Sequence, residues 1–429
     1  MAATISKSVQ AAQRRERFRE YMRKLNPTAP ARLTIDSGLI VEDLHGSQFK
    51  ALVARADLEP ASQQLVVGGT GSGKTTALLL AEKLLGQQGQ TLCLYIDISS
   101  ETDLTDLNSG ALLASFGLHL ARAFSAKGFE DGLDDASRTA IKNARSDIER
   151  FAFGTRKSVW VPHKTGADYM FGGRVDPEFW ALMSGRYVTE GEPGKLPPPV
   201  PVLKSDIRVI QKSLEAFIAA IQTRSLDIVA IFDGLDRLPT PDRFWSVVDQ
   251  DFRALRQMRV GVMAAAPQSV LYGQGRAVSE HFDRVHQIRA LSPDPEAGGY
   301  LKSILSHRGG MDLLGQDVVG LICRGSGGVL RDLITLARDA GEAAYIEGAE
   351  QILAEHATAA IKQLGESYLR GLGPEQIGIL WRLKKERSFD VAASPNIELL
   401  VTGRVLEYSA TDFRVHPALE PLLPKPEPK

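Results

Sequence analysis

Nine consecutive residues, GGTGSGKTT from Gly68 to Thr76, bring together the residue types needed to hold a polyphosphate. Gly68, Gly69, Gly71 and Gly73 let the backbone curl until its N–H groups point inward, and a following helix would add positive potential at its N-terminus. Lys74 supplies a mobile positive charge for the β and γ phosphates, Thr75 a hydroxyl for magnesium, and Thr70, Ser72 and Thr76 complete the phosphate-facing stretch. An apolar run, QLVV at 64–67, precedes the segment, and a helical pattern with apolar residues from Leu78 follows it. That strand–loop–helix context separates a phosphate-binding loop from a plain glycine-rich turn. The ligands implied are ATP and Mg2+.

Magnesium held by one hydroxyl and phosphate oxygens is commonly oriented by a carboxylate at a strand end. The segment IVAIFDGLD offers Asp233 for that place, with a turn or capping aspartate as the alternative. Hydrolysis also needs a group to orient water. Gly234 follows Asp233 directly, so Asp236 is the nearest carboxylate for the role. Either Asp236 serves, or turnover is slow and the protein works as a nucleotide-dependent switch. A surface ion pair of Asp236 with Arg237 is the rival reading.

Five apolar runs position these residues: 64–67, 91–98, 226–233, 259–266 and 285–291, separated by helical stretches. Near-continuous apolar strands of this kind belong to a parallel sheet covered on both faces. The expected fold is α/β, doubly wound, with the nucleotide-binding core over 28–292. Before it, residues 1–27 read as a basic helix carrying Arg14, Arg15, Arg17, Arg19, Arg23 and Lys24. Packing on the main domain or a neighbouring subunit competes there with contact to a phosphate backbone. An insertion at about 127–204 contains Trp160, Tyr169, Trp180, Tyr187 and the run Pro197–Pro199, too aromatic for a linker. Residues 293–367 read as a helical lid, and 368–429 as two helices, a hairpin and a tail, the order of a winged helix.

Composition excludes little. The formal charge is −1 over 429 residues, which gives no global attraction to nucleic acid or anionic membrane. Two cysteines, Cys93 and Cys323, imply neither a disulfide framework nor a metal cluster, and the scattered histidines show no ligand or triad spacing. No run reaches the roughly 18 apolar residues of a membrane span, and the first residues lack a secretory core. Cytoplasmic residence is the expectation.

The strand order, GGTGSGKTT, the DGLD strand end, a lid containing GSGGVLRDL and the winged-helix tail together resemble the AAA+/STAND side of the P-loop ATPases. The likeness is to origin-recognition-type and bacterial STAND-like members, over roughly residues 40–425 with 127–204 uncovered. It implies that Arg331 is a lid arginine reaching back to the γ-phosphate, and that Arg284, ending the helix before strand five, is a finger offered to a neighbouring subunit's nucleotide. Where such relatives place a polar sensor after strand four, this chain has Ala265, Ala266 and Pro267, leaving Gln268 as the nearest candidate. The segment 39–49 matches the position that flanks adenine. The same resemblance implies a homo-oligomer and a protein partner or effector, and for bacterial members a setting in antiphage defence. The competing function is a DNA-bound regulator or loader of the replication or transposition type. The stretch 393–403, where a recognition helix would lie, carries no Lys or Arg, which disfavours DNA readout by that element and leaves residues 7–25 for nonspecific contact. A small-molecule kinase would leave the lid and tail unexplained.

Overall fold

The five apolar runs form one parallel sheet in a computed structural model of the chain. The strands are β1 (Gln63–Gly68), β2 (Thr91–Asp97), β3 (Asp227–Asp233), β4 (Gly261–Ala266) and β5 (Arg284–Ile288), in the order β2-β3-β4-β1-β5. The structure describes residues 2–41, 46–102, 104–105, 107–153, 207–272, 278–292, 295–309, 312–391 and 393–424. The aromatic and proline-rich part of the expected insertion lies outside them.

Both faces of the sheet are apolar, which is why its central strands read as unbroken hydrophobic runs. Leu65, Val67, Ala230, Phe232, Val262 and Ala264 face one way, toward α5 (Ala111–Ala126), α6 (Asp135–Phe153), α7 (Ile207–Gln222) and α8 (Pro241–Gln257). Val66, Val229, Ile231, Met263 and Ala265 face the other way, toward α3 (Gly46–Leu58) and α4 (Lys74–Gln88), and the short α2 (Ala31–Asp36) is tied to α4 by an Arg32–Glu82 ion pair. Alternate residues of single strands thus enter different cores. The α5 N-terminus is fixed by Asp251 of α8, whose buried carboxylate accepts from the backbone N–H groups of Gly110 and Leu112 at 2.6 and 2.9 Å.

Strand β5 ends at Ile288, short of the expected 291, because its partner β1 ends at Gly68 and turns into the phosphate loop. Ala290 and Leu291 then donate their N–H groups to Glu407 and Gly328 instead. The chain thereby leaves the sheet into the lid.

The lid consists of α9 (Pro295–His307), α10 (Gln316–Gly325), α11 (Leu330–Ile346) and α12 (Ala354–Leu369). The basic helix α1 (Ala2–Lys24) belongs to the same core, placing Phe18, Tyr21 and Leu25 among Leu333, Leu336, Ala337 and Ala340. Tyr21 donates its hydroxyl to the Ala337 carbonyl at 2.6 Å. Arg14 donates to the carbonyls of Ala344, Tyr345 and Ala349, where α11 ends and cations are favoured. A last unit has α13 (Pro374–Glu386), α14 (Ser394–Val401) and the antiparallel wing of β6 (Val405–Glu407) and β7 (Phe413–Val415), with its own apolar cluster. Doubly wound sheet, helical lid and winged helix are therefore all present in the expected order. No described helix is long and apolar enough to cross a membrane.

Candidate nucleotide site

Gly68 ends β1, and the loop to α4 lies at the carboxyl edge of the sheet beside the ends of β3 and β4. Ligands in open α/β folds bind at this edge. The loop needs glycine at Gly71, where φ is +82° and a Cβ would stand 2.6 Å from the Arg331 Cβ. The Arg331 N–H also donates to the Gly71 carbonyl at 3.3 Å. Arg331 thus stands in the first turn of α11, directly over the phosphate loop, and α4 and α11 both bring their N-terminal ends toward it. Ser72 keeps a buried hydroxyl oxygen that has no partner among the described residues. A curled backbone with an unsatisfied polar atom and a buried ammonium fits a polyphosphate.

Lys74 is only 6% exposed, and its ammonium donates to the carbonyls of Gly68 and Gly69 at 2.8 and 3.0 Å. Its third oxygen is Asp236 Oδ2 at 2.9 Å. Asp236, on a short 3-10 turn after β3, therefore pairs with the loop lysine. Asp233 sits at the carboxyl end of β3, 4% exposed. Its Oδ1 accepts from the Gly234 N–H at 2.8 Å and its Oδ2 from the Tyr95 hydroxyl at 2.7 Å. Burial pushes the Asp233 carboxyl above its ordinary value, and hydrogen bonds from Tyr95 and Thr75 pull it back. Thr75, at the start of α4, and Asp233, at the end of β3, thus offer a hydroxyl and a carboxylate, hard oxygen donors of the kind magnesium takes.

The position after Asp233 must be glycine. Its φ is +84°, and a Cβ there would lie 2.8 Å from the Cβ and backbone nitrogen of Ser99. The approach of the β2–α5 connection leaves no room for a side chain. Gln268, after β4, is 8% exposed and is held by a residue that sequence reasoning missed. Its Nε2 donates at 2.8 Å to Oε2 of Glu407, on the wing. Tyr95 was missed as well, since a tyrosine inside an apolar strand reads as core.

Arg284 is the first residue of β5 and not the end of a helix, the preceding helical turn being Val278–His281. It is exposed and pairs in register with Gln64, whereas Gly68, opposite Ile288, opens the phosphate loop. Four strand residues place Arg284 about 13 Å from that edge. It therefore stands at the amino edge of the sheet, away from its own loop. Thr70 and Thr76 lie in the loop and the first turn of α4. In the segment 39–49, residues 42–45 lie outside the described residues.

No described protein family matches the chain in sequence, and no curated protein does. Solved structures do resemble it. The Aeropyrum pernix ORC2 protein in ADPNP–ADP complexes is 14% identical with a TM-score of 0.45, covering 88% of this chain and 91% of that one. Cdc6p from Pyrobaculum aerophilum is 14% identical at 0.38, covering 90% and 92%. The RuvB Holliday junction branch migration motor of Thermotoga maritima is 12% identical at 0.38, covering 86% and 91%. Likenesses at these scores carry no functional conclusion, and the fold assignment rests on the chain's own strand order, phosphate loop and wing.

Proposed function

We propose that this chain is a magnesium-dependent ATPase of the AAA+ kind that works as a nucleotide-driven switch or assembly factor. The observation that carries the reading is the convergence on one loop of a buried Lys74, the Thr75–Asp233 pair, Asp236 and the lid's Arg331. Lys74 is poised to exchange Asp236 for a phosphate oxygen, since its two carbonyl contacts come from the loop itself. Released from the lysine, Asp236 becomes a carboxylate free to accept a hydrogen bond from water. Magnesium bound by Thr75 and Asp233 would neutralise charge developing on the phosphates. Arg331 ties the lid to the same phosphates, so lid angle and nucleotide state become one equilibrium.

Arg284 cannot serve its own site from the amino edge, and its exposed place suits a finger acting on a neighbouring copy. The test is a mixing experiment. Arg284→Ala and Asp236→Ala proteins, each inactive alone, should recover part of the turnover when mixed if the finger acts between subunits. No recovery counts against the finger.

A DNA-bound regulator is the second reading, supported by one feature of α1. With Phe18 and Tyr21 turned into the lid, Arg15, Arg19 and Arg23 form an exposed stripe at four-residue spacing. Such a stripe would meet a phosphate backbone and move with the lid, coupling nucleotide state to nucleic-acid contact. A linear fall of log affinity for duplex DNA with log salt, lost on converting the stripe to Glu, checks it. The winged helix offers no comparable basic face at 393–403. No residue arrangement favours antiphage defence over another setting.

A further inference from the structure

The polar centre joining the wing to the core has a fixed hydrogen-bond direction, and that direction determines what Gln268 presents to the phosphate loop. Glu407 has a side chain 1% exposed and accepts from three core side chains. Its Oε1 accepts from Arg289 Nε at 2.9 Å, and its Oε2 from Gln287 Nε2 at 2.7 Å and Gln268 Nε2 at 2.8 Å. The Tyr272 hydroxyl borders the same centre and accepts from Gln287 Nε2 at 3.3 Å. Arg289 also donates to Gln287 Oε1 at 2.5 Å, which leaves the Gln287 amide no choice but to turn its nitrogen to Glu407.

An ionised carboxylate paired with an arginine is acceptor-only, so every amide facing it must present nitrogen. That settles the Gln268 side chain as well. Its oxygen faces the other way, toward Gly69 in the phosphate loop, where a Cβ would stand 3.6 Å from Gln268 Oε1. That oxygen accepts no hydrogen bond from the described residues. An amide oxygen repels phosphate oxygens but accepts from water, so Gln268 is shaped to orient a water molecule and not to grip the γ-phosphate.

We infer that Glu407 is a positioning residue for the proposed ATPase: the docked wing captures the Gln268 nitrogen and aims its oxygen at the attacking water. The inference rests on the ATPase reading above. In the step, the water oxygen bonds to the γ-phosphorus as the bond to the bridging oxygen of ADP breaks. The displaced proton leaves with phosphate, and Gln268 holds a hydrogen without taking it. A wing that swings away leaves Gln268 free to rotate, so the winged-helix unit gates turnover while nucleotide binding persists.

The experiment uses the full chain and measures Mg-ATP affinity by calorimetry, steady-state turnover and thermal unfolding. Variants are Gln268→Ala, Glu407→Ala, the double variant and Glu407→Gln. Each alanine variant should lose about tenfold or more in turnover with ATP affinity changed by less than about threefold, the split expected for a group acting only on the reacting water. The double variant should be no slower than the slower single, because the two residues act as one unit. Should Glu407→Ala fail to fold, Glu407→Gln retains the shape and one acceptor, and its loss of turnover should be smaller but again without loss of affinity. Turnover within about twofold of wild type in a folded Glu407 variant, or losses that multiply in the double variant, overturns the inference. So does a wild type that binds ATP without hydrolysing it. A wild type that binds no ATP instead removes the ATPase reading on which the inference rests.

Discussion

Lys74 and Glu407 are both nearly buried ions at the carboxyl edge of one sheet, 6% and 3% exposed, and they are satisfied in opposite ways. The lysine takes two of its three oxygens from carbonyls five and six residues away, inside its own loop. The glutamate takes its donors from residues 118, 120 and 139 positions distant, on the core. The first arrangement lets one partner, Asp236, be replaced while the loop stays in place. The second breaks only if the wing leaves the core. A local cradle suits ligand exchange, and a long-range hub suits holding two units in one relation.

Exchange at the cradle is most sharply broken by Lys74→Ala. Nucleotide affinity should fall by on the order of 100-fold or more, since a desolvated charge-assisted contact is lost, while the wing stays docked. Calorimetry with ATP and magnesium measures it. The complementary change, Glu407→Ala, strands the Arg289 guanidinium and two amides and should cost about 3 kcal/mol of stability. Urea unfolding checks this, and the transition should split if the winged-helix unit opens before the core. If Lys74→Ala destabilises the fold as much as Glu407→Ala, the two centres are not different in kind.

Tyr95→Phe separates the ends of the scale further. Asp233 Oδ2 loses its hydroxyl donor but keeps its place on β3. The expected result is a rise of about tenfold in the magnesium concentration needed for half-maximal ATP binding, with stability changed by about 1 kcal/mol. The smallest effect belongs to the outward face of α1. Reversing Arg15, Arg19 and Arg23 to Glu should leave stability within about 0.5 kcal/mol, because the residues that hold the helix are Arg14, Phe18 and Tyr21 on its other face.

The cradle was legible in the sequence because its parts are contiguous or end a strand. Gly68 to Thr76 sit in nine adjacent residues, and Asp233 closes an apolar run whose bounds the structure reproduces to one residue. The glycine at 234 is plain in the sequence, though the reason for it, a close approach by Ser99, is tertiary. The hub was illegible for the matching reason. Glu407 reads as one acid in the hairpin VLEYSATDFRVHP, and nothing in that segment announces Arg289, Gln287 or Gln268. Packing of α1 was among the readings of the sequence, but the residues that make it were not, because its basic side chains mask the apolar triad Phe18, Tyr21 and Leu25. Arg284 was placed on a helix because helix ends and strand starts differ by tertiary pairing, here with Gln64.

The most direct test of the account is titration of the purified wild-type chain with ATP in the presence and absence of magnesium, with Lys74→Ala as the control. The account predicts saturable binding that strengthens with magnesium and disappears in the control. Equal, negligible heat in all arms, repeated with the other nucleoside triphosphates, would contradict it.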